Sequence, residues 1–232
     1  MQSLFVKQER QHEGFTLLEL LIVIAIIAIL SVMLIIVINP VETLRKSRDS
    51  QRISDLNTLK TAMGVYTTTI SDPNLDGSPT STINSLCRSA SGWTTGNKIW
   101  YSLPSDTGSI TGINLSGVTT QPTAAQVTLA NLARVDGSGW IPVNFEALTS
   151  GSPISNLPVD PVNKLTTLTA PVNSDYVYRY ACNSTTLTYE VDARLESDEF
   201  TKVTNRMQSD GGDNDNLFEV GTNIRILGQG SF

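Results

Sequence analysis

Apolar positions are distributed very unevenly along this chain. From Phe15 to Ile38 only Thr16, Glu19 and Ser31 are polar, and eighteen residues of the run are Phe, Leu, Ile or Val. As a helix rising 1.5 Å per residue this run would extend about 36 Å, more than the ~30 Å hydrocarbon core of a bilayer, so a membrane-spanning helix is predicted. Asn39 and Pro40 interrupt it. A proline there removes the hydrogen bond to the Ile36 carbonyl, which predicts a kink or a short melted stretch at Pro40. The pattern then changes period: Leu56, Leu59, Met63, Tyr66 and Ile70 recur at intervals of three and four, one face of an amphipathic helix that Asp72 and Pro73 end.

Later segments alternate instead. In "SDYVYRYACNSTTLTYEVDARLES", Tyr176, Tyr178, Tyr180 and Cys182 fall on one face of a strand, and Tyr189, Val191 and Ala193 on one face of the next, the signature of a hairpin. "KIWYSLP" and "LFEVGTNIRIL" read as further strands. Residues 72–97 and 104–140 are rich in Ser, Thr and Gly without periodicity and read as surface loops. The expected fold is α+β: a long N-terminal helix, half membrane-spanning and half amphipathic, packed on an antiparallel β-sheet head in two layers. The corresponding segments are 1–14 as a leader, 15–39 as the apolar helix, 40–71 as its amphipathic continuation and 72–232 as the head.

Composition narrows the chemistry. With 232 residues, a net charge of −6 and a pI near 4.8, the chain lacks the basic surplus that general nucleic-acid binding needs. Cys87 and Cys182 lie far apart in the polar part and suit one structural disulfide in an oxidising compartment, two unrelated free thiols being the alternative. The one histidine, His12, precedes the apolar run, so a chain trimmed before Phe15 has no imidazole for a Ser-His-Asp triad or a zinc site. Carboxylate pairs such as Asp192 with Glu196, or Asp198 with Glu199, read as solvated surface groups, and no phosphate-binding glycine motif occurs. A non-enzymatic role is expected.

Glu19 is the anomaly within the apolar run, because a carboxylate at mid-membrane depth costs roughly 2.5–3.5 kcal/mol on insertion scales. The preceding "MQSLFVKQERQHEG" is polar and is followed, not preceded, by the apolar core, which is the reverse of a secretory signal peptide. "GFTLLELLIVIAIIAIL" resembles the class III signal of type IV prepilins and pseudopilins: a polar leader ending in Gly14, then Phe15, Thr16 and Leu17, with Glu19 four residues after the Phe. The resemblance implies cleavage after Gly14 by a prepilin peptidase, N-methylation of Phe15, and assembly of the mature helix with identical or homologous subunits into a filament core, at an inner-membrane assembly platform. Before assembly the helix would sit in membrane lipid, with the head extracytoplasmic. Glu19 would then pair with the Phe15 amine, within one helix or across subunits. One feature opposes this orientation: Arg45, Lys46, Arg48 and Arg52 follow the apolar run, whereas Lys7 and Arg10 before it are offset by Glu9 and Glu13.

"NLPVDP" at Asn156–Pro161, "YVYRY" and "SDGGDNDN" occur in an order similar to major pseudopilins of the type II secretion class, although the residues after Asp160 and Pro161 depart from the aromatic-glycine pair of that class. This second resemblance implies a calcium ion holding a C-terminal loop. Asp210, Asp213, Asp215 and Glu219 supply hard oxygen ligands for it, with Asn214 or Asn216 and backbone carbonyls completing the shell; a solvated turn is the alternative. The reading that results is a structural subunit of a type IV pilus or a type II secretion pseudopilus, found in the cytoplasmic membrane as a precursor and afterwards in a cell-surface or periplasmic filament. Its alternatives are a low-copy minor pilin with an adhesive or DNA-binding tip, and an uncleaved, signal-anchored surface binding protein.

Overall fold

The computed structural model describes residues 14–167 and 171–228. The chain divides into two units, 1–43 and 44–232. In the first, α1 (Leu17–Ile38) is long and apolar enough to cross a membrane and buries none of its side chains. Asn39 ends it in the left-handed conformation (φ 43°, ψ 74°), and α2 (Pro40–Thr69) begins at the next residue. Pro40 therefore occupies the first position of a new helix, where a missing N–H leaves no bond unmade, instead of kinking the interior of one. The Asn39 side chain accepts from Glu42 N–H at 3.3 Å, so one residue closes α1 and caps α2.

In the second unit a five-stranded sheet runs in the order β2-β1-β3-β4-β5, built from β1 (Lys98–Tyr101), β2 (Thr123–Ala125), β3 (Arg179–Asn183), β4 (Thr188–Ala193) and β5 (Phe218–Gly221). All neighbours are antiparallel except β1 and β2, a parallel pair. Four strands lie where alternation places them, while β2 falls within a segment expected to be loop. "TNIRIL", expected to extend the last strand, leaves the sheet after Gly221. Tyr176 precedes β3 and forms a lone bridge with Lys164.

The stripe on α2 does what its spacing requires. Leu56, Leu59, Met63 and Tyr66 are buried against Tyr178, Tyr180, Cys182, Tyr189, Val191 and Ala193 of the β3–β4 hairpin, with Ile70 packed at the margin. Three tyrosines keep their hydroxyls satisfied at this seam: Tyr178 donates to Asp55 Oδ2 at 2.8 Å, Tyr180 to the Leu75 carbonyl at 2.7 Å and Tyr189 to the Lys60 carbonyl at 3.0 Å. Each ring adds apolar burial while its polar end stays hydrogen-bonded, which phenylalanine could not achieve beside these acceptors.

The polar segments are more than surface loops. Leu75, Cys87, Leu132, Val135 and Trp140 are buried in the helix-side core. Ile110, Ile113 and Leu115 join Trp93, Ile99, Tyr101, Ala181, Leu217, Ile226 and Leu227 in a second cluster on the opposite side of the sheet. The expected two layers thus become a sheet covered on both faces, the second face by irregular chain. On the helix side, side chains hold the segment after α2 in place: Asp76 accepts from Ser78, Asn84 and Leu86, and Asn84 Oδ1 accepts from Leu75 N–H at 2.7 Å.

Candidate functional site

The segment expected to be processed is accessible. Gly14 is exposed in irregular chain just before α1, with open space where a Cβ would point, and Phe15 is 90% exposed. Thr16 is the N-cap of α1: its hydroxyl accepts from Glu19 N–H at 3.2 Å, and the Glu19 carboxylate takes both the Thr16 N–H and its hydroxyl at 2.9 Å. This is a capping box, and its signature, Thr followed three residues later by Glu at the start of an apolar run, was present in the sequence and not used. Before any cleavage, then, Glu19 is engaged with its own helix end. The leader residues 1–13, including His12, lie outside the described residues.

Cys87 and Cys182 form a disulfide with a Cα separation of 4.8 Å, spanning 95 residues and joining the segment after α2 to β3.

Sequence reasoning missed a charged centre beneath the helix. Arg52, fully buried, reaches Asp160 by Nε and NH2, Asp49 by NH1 and Glu196 by NH1, and stacks over the Tyr176 ring at 4.8 Å. Arg48 adds a forked pair to Glu196. Burial pushes the Glu196 carboxyl up, but its hydrogen bonds from Arg48 and Arg52 outweigh that and hold it below the usual range. Asp49 also accepts the N–H groups of Glu196 and Ser197, so three carboxylates and two guanidiniums join α2, the Asn156–Pro161 turn and the chain after β4.

In the acidic segment 210–219, from which calcium ligands were expected, much of the oxygen set is engaged by the chain itself. Asp210 and Glu219 converge on Gly212, where an added Cβ would overlap Glu219 Oε2, and there the chain supplies its own donors: Gly212 and Glu219 N–H to Asp210, Asn214 N–H to Glu219. Asp213 lies in the field of Arg225 and Arg88. Among the described residues no three Asp, Glu, His or Cys side chains gather as metal ligands. A hard cation needs six to eight converging oxygens; Glu219 stands in β5 opposite Asp192 of β4.

Against this geometry, residues 10–35 match the family model for the prokaryotic N-terminal methylation motif. The chain carries the class III signal of type IV pilins. The match covers the exposed Gly14 and Phe15, the Thr16–Glu19 box and most of α1, and the motif implies processing by prepilin peptidase and assembly into filaments in general. No curated protein and no solved structure matches the chain.

Proposed function

We propose that the protein is a structural subunit of a type IV pilus or a type II secretion pseudopilus, cleaved after Gly14 and assembled through α1. The observation that carries this reading is the methylation motif on an apolar helix with no buried side chain, followed by a head that has its own core. An apolar helix of twenty-two residues, none of them buried among the described residues, needs lipid before assembly and neighbouring helices after it.

An extracytoplasmic head is supported by the Cys87–Cys182 disulfide, which belongs to an oxidising compartment. The cations after the apolar run weigh less against this orientation once their partners are counted. Lys46 faces Glu199 at 3.7 Å, Arg48 binds Glu196, and Arg52 is enclosed by three carboxylates. The proposed role is non-catalytic; with no histidine after His12 a mature chain has no imidazole for a Ser-His-Asp triad. Mass spectrometry and N-terminal sequencing of purified surface filaments test the proposal: the expected species begins at a methylated Phe15, and a full-length chain confined to the membrane would favour a signal-anchored binding protein.

A further inference from the structure

The chain holds two Asn-x-Ser/Thr triplets, Asn114-Leu115-Ser116 and Asn183-Ser184-Thr185. That spacing recurs by chance in a chain rich in Ser and Thr, and conformation is what separates the two. The second is closed. Asn183 ends β3 at 8% exposure and its Oδ1 accepts the N–H groups of Thr185 and Thr186 at 2.9 and 3.0 Å, while the Ser184 hydroxyl donates to the Arg88 carbonyl at 3.2 Å and Thr185 Oγ1 accepts from Ala90 N–H at 3.1 Å. The first is open. Ile113 and Leu115, 7% and 2% exposed, are anchored in the cluster on the sheet face away from α2, and they alternate with Asn114 and Ser116, which are both exposed. Other groups fix this loop: Gln121 Oε1 accepts from Leu115 N–H at 2.7 Å, its Nε2 donates to the Leu115 and Val118 carbonyls at 3.0 and 2.8 Å, and Val118 N–H closes on the Leu115 carbonyl at 3.3 Å around Gly117, whose φ of 73° suits a residue without a side chain. Neither the Asn114 amide nor the Ser116 hydroxyl takes part in these bonds.

We propose, on the basis of the extracytoplasmic head of the preceding reading, that Asn114 is a glycan acceptor modified at its side-chain amide, and that Asn183 is not. The donor class is an oligosaccharide carried on a lipid pyrophosphate. Asn114 Nδ2 attacks the anomeric carbon of the first sugar, an N–C bond forms and the bond from that carbon to the pyrophosphate oxygen breaks. The amide nitrogen gives up one proton, the lipid pyrophosphate leaves with the bonding electron pair, and nothing is oxidised or reduced. An amide nitrogen is a weak nucleophile, so a transferase has to enclose the chain around the Asn and engage the hydroxyl two residues on. At Asn114 both groups face solvent on one loop, and the space beyond Gly117 is open. A bulky glycan there displaces no core, because Ile113 and Leu115 carry the packing of the segment. At Asn183 the same reaction would have to break the side-chain bonds that close the β3–β4 turn.

The test is intact-mass and peptide mass spectrometry of the full protein purified from the cells that make it. The peptide holding Asn114 should carry a discrete sugar increment, and the peptide holding Asn183 none. Asn114→Gln and Ser116→Ala should each abolish the increment completely, while Ser116→Thr, which keeps a hydroxyl, should retain it. Since neither side chain holds the loop, all three variants should melt as a folded head does; should one fail to fold, the wild-type peptides decide. A wild-type Asn114 peptide without sugar overturns the proposal, and so does an increment that survives Asn114→Gln or Ser116→Ala, or one carried by Asn183. The N-terminal residue, read from the same spectra, keeps this test apart from that of the filament role. A chain trimmed to a methylated Phe15 but bare at Asn114 overturns the glycan site alone, whereas a full-length chain confined to the membrane with sugar on Asn114 overturns the filament role alone.

Discussion

Arg52 and Asp160, 108 positions apart in the sequence, meet in a two-pronged ion pair, Nε to Oδ2 at 2.7 Å and Nη2 to Oδ1 at 3.1 Å, with neither side chain exposed. Removing one partner of such a pair strands the other charge in the core. Arg52→Ala should therefore destabilise the head by about 3–5 kcal/mol in denaturant titration, whereas breaking the exposed Lys202–Asp198 pair should change it by about 0–1 kcal/mol. Equal effects from the two would show that the Arg52 centre contributes no more than a surface contact.

The two carboxyl systems of the head predict opposite pH slopes. Glu196 is lowered, so its contribution is fully present above its ordinary value near 4.5 and is lost as pH falls through its folded pKa. Asp55, Glu190 and Glu219 are raised, chiefly by burial, and their contribution is lost as pH rises. Melting temperature against pH should thus peak in mildly acidic solution and fall on both sides. Arg48→Gln should weaken the acid limb and leave the alkaline limb in place.

Reducing the Cys87–Cys182 bond frees a loop whose closure stabilises by up to about 4.7 kcal/mol when near 100 residues long. The reduced protein should melt several degrees lower. Thiol labelling of the unfolded, unreduced chain should find no free cysteine, and two labelled sites would refute the bond.

At the processing segment, Gly14→Val should leave the leader attached, because a side chain obstructs the close approach of a peptidase to this exposed backbone. The intact mass of the membrane-bound protein reports this directly.

Glu19→Leu should still be inserted and cleaved, yet yield few filaments when it is the only subunit present. Apolar faces alone can slide, whereas a buried carboxylate seeking the Phe15 amine fixes register. Normal filament yield with an unchanged helical rise would make Glu19 a helix cap and nothing more.

Elements whose signal is local were legible in the sequence. The apolar run, the Leu56–Leu59–Met63–Tyr66 stripe and the tyrosine alternation of β3 and β4 each report a face through their own period. Arg52 was not legible, since a cation four residues beyond Arg48 reads as another charge next to a membrane until Asp160 and Glu196 arrive from 108 and 144 residues away. Glu190, Asp192 and Arg179 show the same limit. Alternation turns them away from α2, which usually means toward water, but it carries no record that the chain around Ile113 and Ile226 folds over that face. β2 has three residues, Thr123–Ala125, and pairs in parallel, too short to announce itself through alternation. For the acidic segment, residue type suggested a cation site, while the convergence of its oxygens depends on where β5 sets Glu219.

The seam between α2 and the hairpin also has a meaning in time. Asp55 and its partner Tyr178 are 123 residues apart, so at 5–20 residues per second the apolar stripe of α2 leaves the ribosome roughly 6–25 s before the strand that covers it. During that interval Leu56, Leu59 and Met63 are open to whatever apolar surface is near, and the nascent subunit is at its most vulnerable to aggregation well before its last strand exists.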